Sequence, residues 1–151
     1  MAKYKVFLSD FEKSALADIQ KIFLQSDYHK KWSQNDFIRL VLPPVRLNQC
    51  RIFREEGEPV AFLSWAWMNK ASEKRYLSLN DKLQPKDWKS GKNLWLIDVI
   101  CLNGQLKKIA NQMSKDDFKF ISMAKAARFG GKDNMTRIHL IRNPNFKHTS
   151  L

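Results

Sequence analysis

The stretch that most constrains the fold is Leu94-Trp95-Leu96-Ile97-Asp98-Val99-Ile100-Cys101, in which seven of eight residues are apolar. A run of this length, rich in branched side chains, is typical of a central strand that is covered on both faces. It contains one carboxylate, that of Asp98, and burying a carboxylate is costly unless a cation or several donors meet it. The run therefore predicts a layered α/β domain and marks Asp98 as a residue that needs a partner.

The N-terminal part predicts two helices. Ser9-Asp10-Phe11-Glu12 is a capping box, so we expect a helix from here to about Gln25. Ser33 can cap a second helix after a loop, and the Pro43-Pro44 pair should end it because neither proline has an N–H to donate. Both helices have an apolar stripe at helical spacing, which predicts that they pack on a sheet.

The remaining elements complete one mixed sheet with helices on its faces. Asn48–Glu56 and Pro59–Trp67 read as an antiparallel hairpin, and residues 68–93 as a helix or irregular crossing before the central strand. A helix over Gln105–Met113 and strands over Phe118–Met123 and Thr136–Ile141 should follow. With 44% hydrophobic residues, the chain can bury a real core, so residues 1–151 are predicted to form a single α/β (α+β) domain.

Several classes of protein do not fit. No apolar run approaches the roughly 20 residues that cross a bilayer, so we expect no stable membrane insertion. The first residues lack an apolar signal core, which favours a cytoplasmic location. Cys50 and Cys101 are too few for a disulfide framework, and no Cys/His cluster offers a metal site. There is no Gly-rich phosphate loop, so no bound nucleotide cofactor is expected.

The chain is strongly basic. It has 27 Lys and Arg against 15 Asp and Glu, a formal charge of +12, and residues 102–151 alone contribute +7. Such a charge speeds encounters with polyanions, which include nucleic acid, an anionic membrane surface and an acidic protein. Charge alone does not choose among them.

Three histidines could partner Asp98. His148 lies in a polar tail, His139 in a predicted strand, and His29 in a loop between two helices, where catalytic groups concentrate. A carboxylate that holds a histidine fixes its tautomer and makes the other ring nitrogen a better base. Asp98 could instead bond backbone amides or an arginine, so both readings remain open. Without a nucleophile elbow or an active-site cysteine motif, a His/Asp pair suits transfer to a nucleophile that the substrate brings.

Four segments in a fixed order carry a family resemblance: Ser26-x-x-His29-x-x-Trp32, Val41-Leu42-Pro43-Pro44-Val45-Arg46-Leu47-Asn48-Gln49, Pro59-Val60-Ala61-Phe62-Leu63-Ser64-Trp65-Ala66 and Leu94-Trp95-Leu96-Ile97-Asp98. Together they resemble the RTX toxin-activating lysine acyltransferases over about residues 15–104. Asp87-Trp88-x-Ser90-Gly91 is also similar to the family. Beyond residue 105 the match thins, and we carry no role onto Phe129-Gly130-Gly131-Lys132.

The resemblance implies a GNAT-like acyltransferase fold and an activity, the transfer of a fatty acyl group from acyl carrier protein to internal lysines of an inactive RTX protoxin. It implies that His29 and Asp98 match the family's catalytic pair and that Ser26 matches a supporting position. His29 would act as general base or as a transient acyl acceptor, and the residues do not separate the two. Association into a homodimer and a Gram-negative bacterial cytoplasm are further expectations from the family.

Two sets of residues could bind the donor. An acyl chain needs an apolar groove, for which the candidates are Phe62, Trp65, Trp67 and Trp95, although each could equally be core. An acidic carrier protein would dock on cations, for which the candidates are Lys107, Lys108, Lys115, Lys119 and Arg128.

The competing reading is a basic, aromatic-rich module that binds nucleic acid and has no enzymatic activity. The aromatic residues, however, lie mostly in long apolar runs instead of alternating with Arg on an exposed strand, and no known nucleic-acid motif occurs. We therefore expect no nucleic-acid partner.

Overall fold

The computed structural model describes residues 7–78, 82–129 and 136–148. Within these ranges the helices and strands are α1 (Asp10–Leu24), α2 (Gln34–Arg46), β1 (Cys50–Glu55), β2 (Glu58–Met68), α3 (Lys70–Leu77), β3 (Asn93–Cys101), α4 (Leu106–Lys115), β4 (Met123–Arg128) and β5 (Arg137–Arg142). Short 3₁₀ turns occur at His29–Lys31 and Pro85–Trp88. The predicted mixed α/β class is confirmed, and the architecture is consistent with a GNAT-like domain.

The described strands form one sheet in the order β1-β2-β3-β4-β5. Neighbours are antiparallel except β3 and β4, which are parallel and therefore need the crossover that α4 provides. The β3–β4 ladder has two pairs, Trp95 with Lys125 and Leu96 with Ala126. Past Leu96 the two strands have no further ladder pairs, so the sheet opens beside Asp98.

The predicted hairpin is confirmed in β1 and β2. Its two-residue turn has positive φ at both Glu56 (51°) and Gly57 (84°), as the tight hairpin turn that matches strand twist requires. The capping boxes that begin α1 and α2 are both present, with the Ser9 and Ser33 hydroxyls accepting from the third residue of each helix.

Helix α2 contradicts one prediction. It continues through Pro43 and Pro44 to Arg46. Pro44 and Val45 are buried beneath this last turn, and the backbone N–H groups of Leu47 and Gln49 donate to the carbonyls of Pro43 and Pro44. The only hydrogen-bond donors missing from this turn are therefore the N–H groups that the two prolines lack. Packing of the apolar face keeps α2 helical through them.

The strand predicted over Phe118–Met123 is also wrong. Phe118 and Ile121 lie in a turn that packs against the core, and the strand is instead the alanine-rich β4. Strand propensity is decided by pairing and packing more than by residue type, and β4 is paired on both sides, by β3 and by β5. Gly130, Gly131 and Lys132 of the last motif lie outside the described residues.

Each sheet face has its own core. Phe62 and Ile100 face α1 and α2, where they pack with Ile19, Ile22, Phe23 and Val41. Leu63, Trp65 and Leu94 face the opposite side, where Ile109 and Met113 of α4 cover them. We call these the α1/α2 face and the α4 face.

A bulge in β3 sets the direction of Asp98. Ser64 pairs with Asp98 but Trp65 pairs with Leu96, so Ile97 is an extra residue in the strand. Leu96 packs on the α4 face, whereas Ile97 packs with Trp95 on the other side. Strict alternation from Leu96 would have sent Asp98 to the α4 face; the bulge sends both Ile97 and Asp98 to the α1/α2 face.

Candidate active site

His29 is held inside a cage of aromatic rings. Its ring lies 4.6 Å from the Phe23 ring, 4.9 Å from the Trp32 ring and 5.0 Å from the Tyr28 ring, measured between centroids. The 3₁₀ turn that begins at His29 is closed by the Trp32 N–H, which donates to the His29 carbonyl. With 9% of the side chain exposed, the ring has little freedom to reorient.

Both nitrogens of this ring face oxygen atoms. Nε2 lies 3.0 Å from Oδ1 of Asp98, and Nδ1 lies 2.7 Å from Oγ of Ser26. An ionised carboxylate only accepts, so Nε2 carries the hydrogen, and in a neutral ring Nδ1 then accepts from the Ser26 hydroxyl. The three side chains form a chain in the order Asp98, His29, Ser26.

Asp98 is placed by the sheet and is not fully satisfied. Its backbone N–H donates to the Oγ of buried Ser64, its ladder partner on β2. Its Oδ2 atom is buried and has no hydrogen-bond partner among the described residues. Burial, and then the charge of Asp98, raise the pKa of the neighbouring Tyr76 hydroxyl well above its usual range. Asp98 is therefore one hydrogen bond short, and it lines an open space.

That space is a cavity of about 390 Å³, which we call the site cavity. It opens where β3 and β4 diverge, with Ile97 and Asp98 on one side and Ala127 and Arg128 on the other. Its remaining lining residues are Tyr28, Trp32, Arg39, Leu40, Tyr76, Lys82, Leu83 and Phe129. Arg39, which also lines the site cavity, has a buried Nε atom without a partner among the described residues.

A second cavity lies on the α4 face. It has a volume of about 320 Å³, and we call it the apolar cavity after its lining. The residues around it are Leu63, Leu94, Leu96, Lys107, Ala110, Asn111, Met113, Ser114, Phe118, Ile121, Met123, Ala124, Ile141, Arg142, Asn143 and Pro144. It lies across the sheet from His29.

Two of the motifs that carry the resemblance have structural roles. The buried amide of Gln49 donates to the carbonyls of Trp65 (3.0 Å) and Trp88 (2.9 Å), so it ties the end of α2 to β2. In the Asp87–Gly91 segment, the buried carboxylate of Asp87 accepts hydrogen bonds from Ser72 (2.7 Å) and from Arg75, which fixes α3. These contacts position the walls of the site cavity without touching the histidine.

The predicted groove aromatics lie in the cores. Phe62 and Trp95 are fully buried on the α1/α2 side, and the Trp95 indole donates to Glu73. Trp65 is buried on the α4 face against Phe118, and Trp67 is half-buried there. Phe118, the neighbour of Trp65, lines the apolar cavity. Their burial also removes these rings as platforms for stacking bases.

The predicted docking cations fall into two groups. Arg128 is exposed at the end of β4 and lines the site cavity. The other four are exposed on α4 or in the turn after it, namely Lys107, Lys108, Lys115 and Lys119.

Sequence reasoning missed several residues of the site. Arg39, Tyr76 and Leu83 line the site cavity from α2, α3 and the segment before the 3₁₀ turn. Nothing local marks them, because tertiary packing brings them together. The contact of Ser26 with His29 does have a signal, since a three-residue separation brings side chains together in a tight turn.

Two features are absent from the described residues. No group of three or more His, Cys, Asp and Glu side chains within them could hold a metal ion. In the same part of the chain, no helix is both long and apolar enough to cross a membrane. Cys50 and Cys101 are free and half-buried, and burial raises the pKa of the Cys50 thiol to about 11.

Comparison with known proteins gives a consistent picture. Residues 10–141 match the model of the RTX toxin acyltransferase family. The chain is 31% identical over 98 residues to leukotoxin-activating lysine-acyltransferase LktC serotype A1 of Mannheimia haemolytica, covering 65% of this chain and 59% of that protein. It is 32% identical over 105 residues to protein-lysine myristoyltransferase HlyC of Escherichia coli, covering 68% and 60%.

A third relative is RTX-I toxin-activating lysine-acyltransferase ApxIC of Actinobacillus pleuropneumoniae, 33% identical over 103 residues that cover 68% of this chain and 59% of that protein. The matched region thus spans about three fifths of the length of these relatives. The family match reaches residue 141, further along the chain than the motifs that end near residue 104.

Proposed function

Because this chain belongs to the RTX toxin acyltransferase family, we propose that it transfers a fatty acyl group from acyl carrier protein to lysine side chains of an RTX protoxin. The observation that carries the proposal is the hydrogen-bonded chain of Asp98, His29 and Ser26. Relatives of this chain are named as lysine acyltransferases that activate a leukotoxin or an RTX toxin, which supports the same kind of acceptor.

The reaction needs a base. A lysine amine has a reference pKa of about 10.4, so at neutral pH it arrives protonated and cannot attack a thioester. An imidazole can accept a proton near neutral pH, and a positioned base typically raises a rate by about 10² to 10⁴. We assign this role to Nδ1 of His29, since Nε2 is occupied by Asp98.

We place Ser26 between that nitrogen and the lysine amine, as a proton relay. Its Oγ is 2.7 Å from Nδ1, so a proton leaving the amine can pass to the hydroxyl as the hydroxyl hydrogen passes to Nδ1. The positive charge that forms on the ring is stabilised by Asp98, whose side chain is only 11% exposed. The neutral amine then attacks the thioester carbonyl, so the amide C–N bond forms and the C–S bond breaks. The donor thiol leaves with the proton held by the ring, and the second amine proton is released to water.

The site cavity is the place for the donor thioester. It adjoins Asp98, and its walls combine apolar side chains with polar ones such as Tyr28 and Arg39. A donor arm with an apolar chain and amide groups can satisfy both kinds of wall. The cations Arg39, Lys82 and Arg128 line the same cavity, so an electron-rich donor is favoured there.

Direct transfer is favoured over an acyl-histidine intermediate. Acylation of His29 would need a ring nitrogen that faces the thioester, yet one nitrogen faces Asp98 and the other Ser26. A two-step route through His29 therefore requires Ser26 to move away first.

The basic surface supports an acidic carrier as donor. Arg128 joins the site cavity to the outside, and the +12 charge of the chain would speed encounter with an acidic protein. The homodimer and the cytoplasmic location that the resemblance implies stay predictions.

The test is intact-mass spectrometry of an RTX protoxin incubated with this protein and acyl carrier protein carrying a fatty acid. We expect a mass gain equal to one or more acyl groups, mapped to lysine by peptide sequencing. His29→Ala should abolish the gain, whereas His148→Ala, which alters an exposed histidine of the polar tail, should leave it unchanged.

Circular dichroism of both variants shows whether each remains folded. No gain with carriers of any chain length would remove the proposed activity, and so would full activity in a folded His29→Ala variant. Nucleic-acid binding would then be measured, as the competing reading of a basic chain.

A further inference from the structure

The apolar cavity on the α4 face is not used by the chemistry at His29. We propose that it binds a single long fatty acyl chain. The side chains that line its interior are aliphatic or aromatic, contributed by β2, β3, α4 and the turn after α4: Leu63, Leu94, Leu96, Met113, Phe118 and Ile121. Its volume of about 320 Å³ lies within the range of roughly 300–1,000 Å³ that small-molecule sites have.

The polar groups around the apolar cavity indicate which kind of ligand it can bind. Three buried side-chain nitrogen or oxygen atoms in the described residues have no hydrogen-bond partner, and they belong to Arg39, Trp88 and Asp98. None of these residues lines the apolar cavity. The amide of Asn143, which does line it, already donates to the carbonyls of Ser114, Phe118 and Ile121. Among the described residues, no residue that lines the cavity has a buried polar side-chain atom left without a hydrogen-bond partner. An apolar chain therefore fits the interior best.

The rim of the apolar cavity indicates that the ligand has one charged end. Lys107 and Arg142 line the cavity and are exposed, so their charged ends stand where the interior meets water. A ligand with an apolar chain and an anionic end, such as a fatty acid, matches this arrangement of apolar interior and cationic rim. A neutral hydrocarbon would leave the rim unused.

The position of the cavity relates it to the transfer site. Leu94 and Leu96 line the apolar cavity on the α4 face of β3. On the other face of β3, Ile97 and Asp98 line the site cavity. Between them the β3–β4 ladder has only its two pairs and then opens. A fatty acyl chain could therefore reach the apolar cavity from either of two sources, as a free fatty acid or as the chain of a donor held at His29. The second source rests on the proposed function, and the first does not.

Binding is measured directly with a fluorescent polyene fatty acid titrated into the wild-type protein and into two tryptophan variants of α4. Ala110 lines the apolar cavity, whereas Gln112, exposed on the same helix, does not line it. We expect saturable binding of one fatty acid, weakened about tenfold or more by Ala110→Trp, the equivalent of about two methylenes expelled from the cavity. Gln112→Trp should bind like the wild type.

The rim is tested in the same assay. Lys107→Met should weaken binding of the fatty acid but not of the fatty alcohol of equal length, and Lys108→Met, the neighbouring exposed lysine, should change neither. The inference is overturned if the wild type shows no saturable binding or if the two tryptophan variants bind equally well.

The source is decided by transfer to protoxin from carriers with chains of different lengths. If the donor's chain occupies the cavity, Ala110→Trp shifts the preference toward shorter chains and Gln112→Trp does not. If the preference stays unchanged while fatty-acid binding is lost, the occupant is a free fatty acid. Because the titration needs no protoxin, failure of the transferase proposal leaves the binding result intact.

Discussion

Oδ1 of Asp98 lies 3.0 Å from Nε2 of His29, although 69 residues separate them in the chain. The contact depends on the bulge at Ile97, which sends Asp98 to the face on which the aromatic cage holds His29. The carboxylate can only accept, so it keeps the ring hydrogen on Nε2 and leaves Nδ1 as an acceptor, the atom to which the proposed mechanism gives the role of base.

Replacing Asp98 with asparagine should lower acyl transfer strongly while the protein stays folded. An amide can offer its N–H₂ group to Nε2 and so favour the wrong tautomer, and it no longer stabilises the charged ring. We expect kcat to fall by about 10² to 10⁴, the usual size of a general-base contribution. Thermal unfolding measured beside the kinetics separates this from a loss of fold. Wild-type kcat in Asp98→Asn would remove the carboxylate from the mechanism.

Much of this architecture can be predicted from local sequence. The capping boxes at Ser9 and Ser33, the hairpin turn at Glu56-Gly57 and the apolar run of β3 each identify an element without help from the rest of the chain. The need of Asp98 for a partner follows from its place in the apolar run, whereas the choice of His29 as that partner is what the family resemblance implies.

The predictions that were wrong concern features that depend on contacts between distant parts of the chain. Pro43 and Pro44 stay helical because the last turn of α2 buries Pro44 and Val45. Strand β4 forms from alanines because β3 and β5 flank it, and the side to which Asp98 points depends on a bulge that alternation does not predict. Arg39 and Tyr76 meet at the site cavity only after folding, so no local pattern could mark them.

Ser26 is predicted to assist His29 through its hydroxyl. Ser26→Ala removes the group that lies 2.7 Å from Nδ1 and should reduce kcat, while Ser26→Thr, which keeps a hydroxyl, should retain more activity. A single lost relay or hydrogen bond of this kind typically costs about tenfold in rate or more, equal to about 1.4 kcal/mol. Steady-state kinetics at saturating donor make the comparison, and equal kcat in the alanine and threonine variants would exclude the hydroxyl from proton transfer.

Docking of an acidic carrier should depend most on Arg128 among the five candidate cations. Arg128 lines the site cavity, whereas Lys115 lies at the end of α4 and does not. Arg128→Glu should therefore raise KM for the acylated carrier more than Lys115→Glu does, with kcat changed less. The wild-type kcat/KM should fall as salt rises from about 0.01 M to 0.15 M, because screening shortens from about 30 Å to 8 Å. A salt-independent kcat/KM would argue against electrostatic docking.

Gly91 should tolerate no side chain. A Cβ built there would lie 2.4 Å from the backbone nitrogen of Asn69 and 2.6 Å from its Cα, where nothing flexible can give way. Gly91→Ala must therefore push the segment after Trp88 away from β2, breaking the bond from the Gly91 N–H to the Trp67 carbonyl (3.1 Å). We expect a loss of at least about 2 kcal/mol in the free energy of unfolding. Lys92→Ala, at the neighbouring exposed position, is the control, and an equal loss there would contradict the clash.

Asp87 should make the fold sensitive to acid. Burial acts to raise the pKa of this carboxyl, but hydrogen bonds from Arg75, the Gln84 N–H and Ser72 outweigh it and lower the pKa from 3.8 to about 2. A carboxyl with a depressed pKa in the folded state contributes stability that is complete above its unfolded pKa and is lost as the pH falls through the folded value. The contribution should therefore disappear between about pH 4 and pH 2.

Asp87→Asn tests this window by denaturant unfolding at a series of pH values. The variant should be less stable at neutral pH, by roughly 3 kcal/mol, because Arg75 loses the carboxylate that it contacts. It should also lose less stability than the wild type on going from pH 4 to pH 2, since the asparagine does not titrate. Asp116→Asn, which alters an exposed carboxylate after α4, should keep the wild-type slope. If Asp87→Asn shows the same slope as the wild type, the acid sensitivity of the fold arises from other groups.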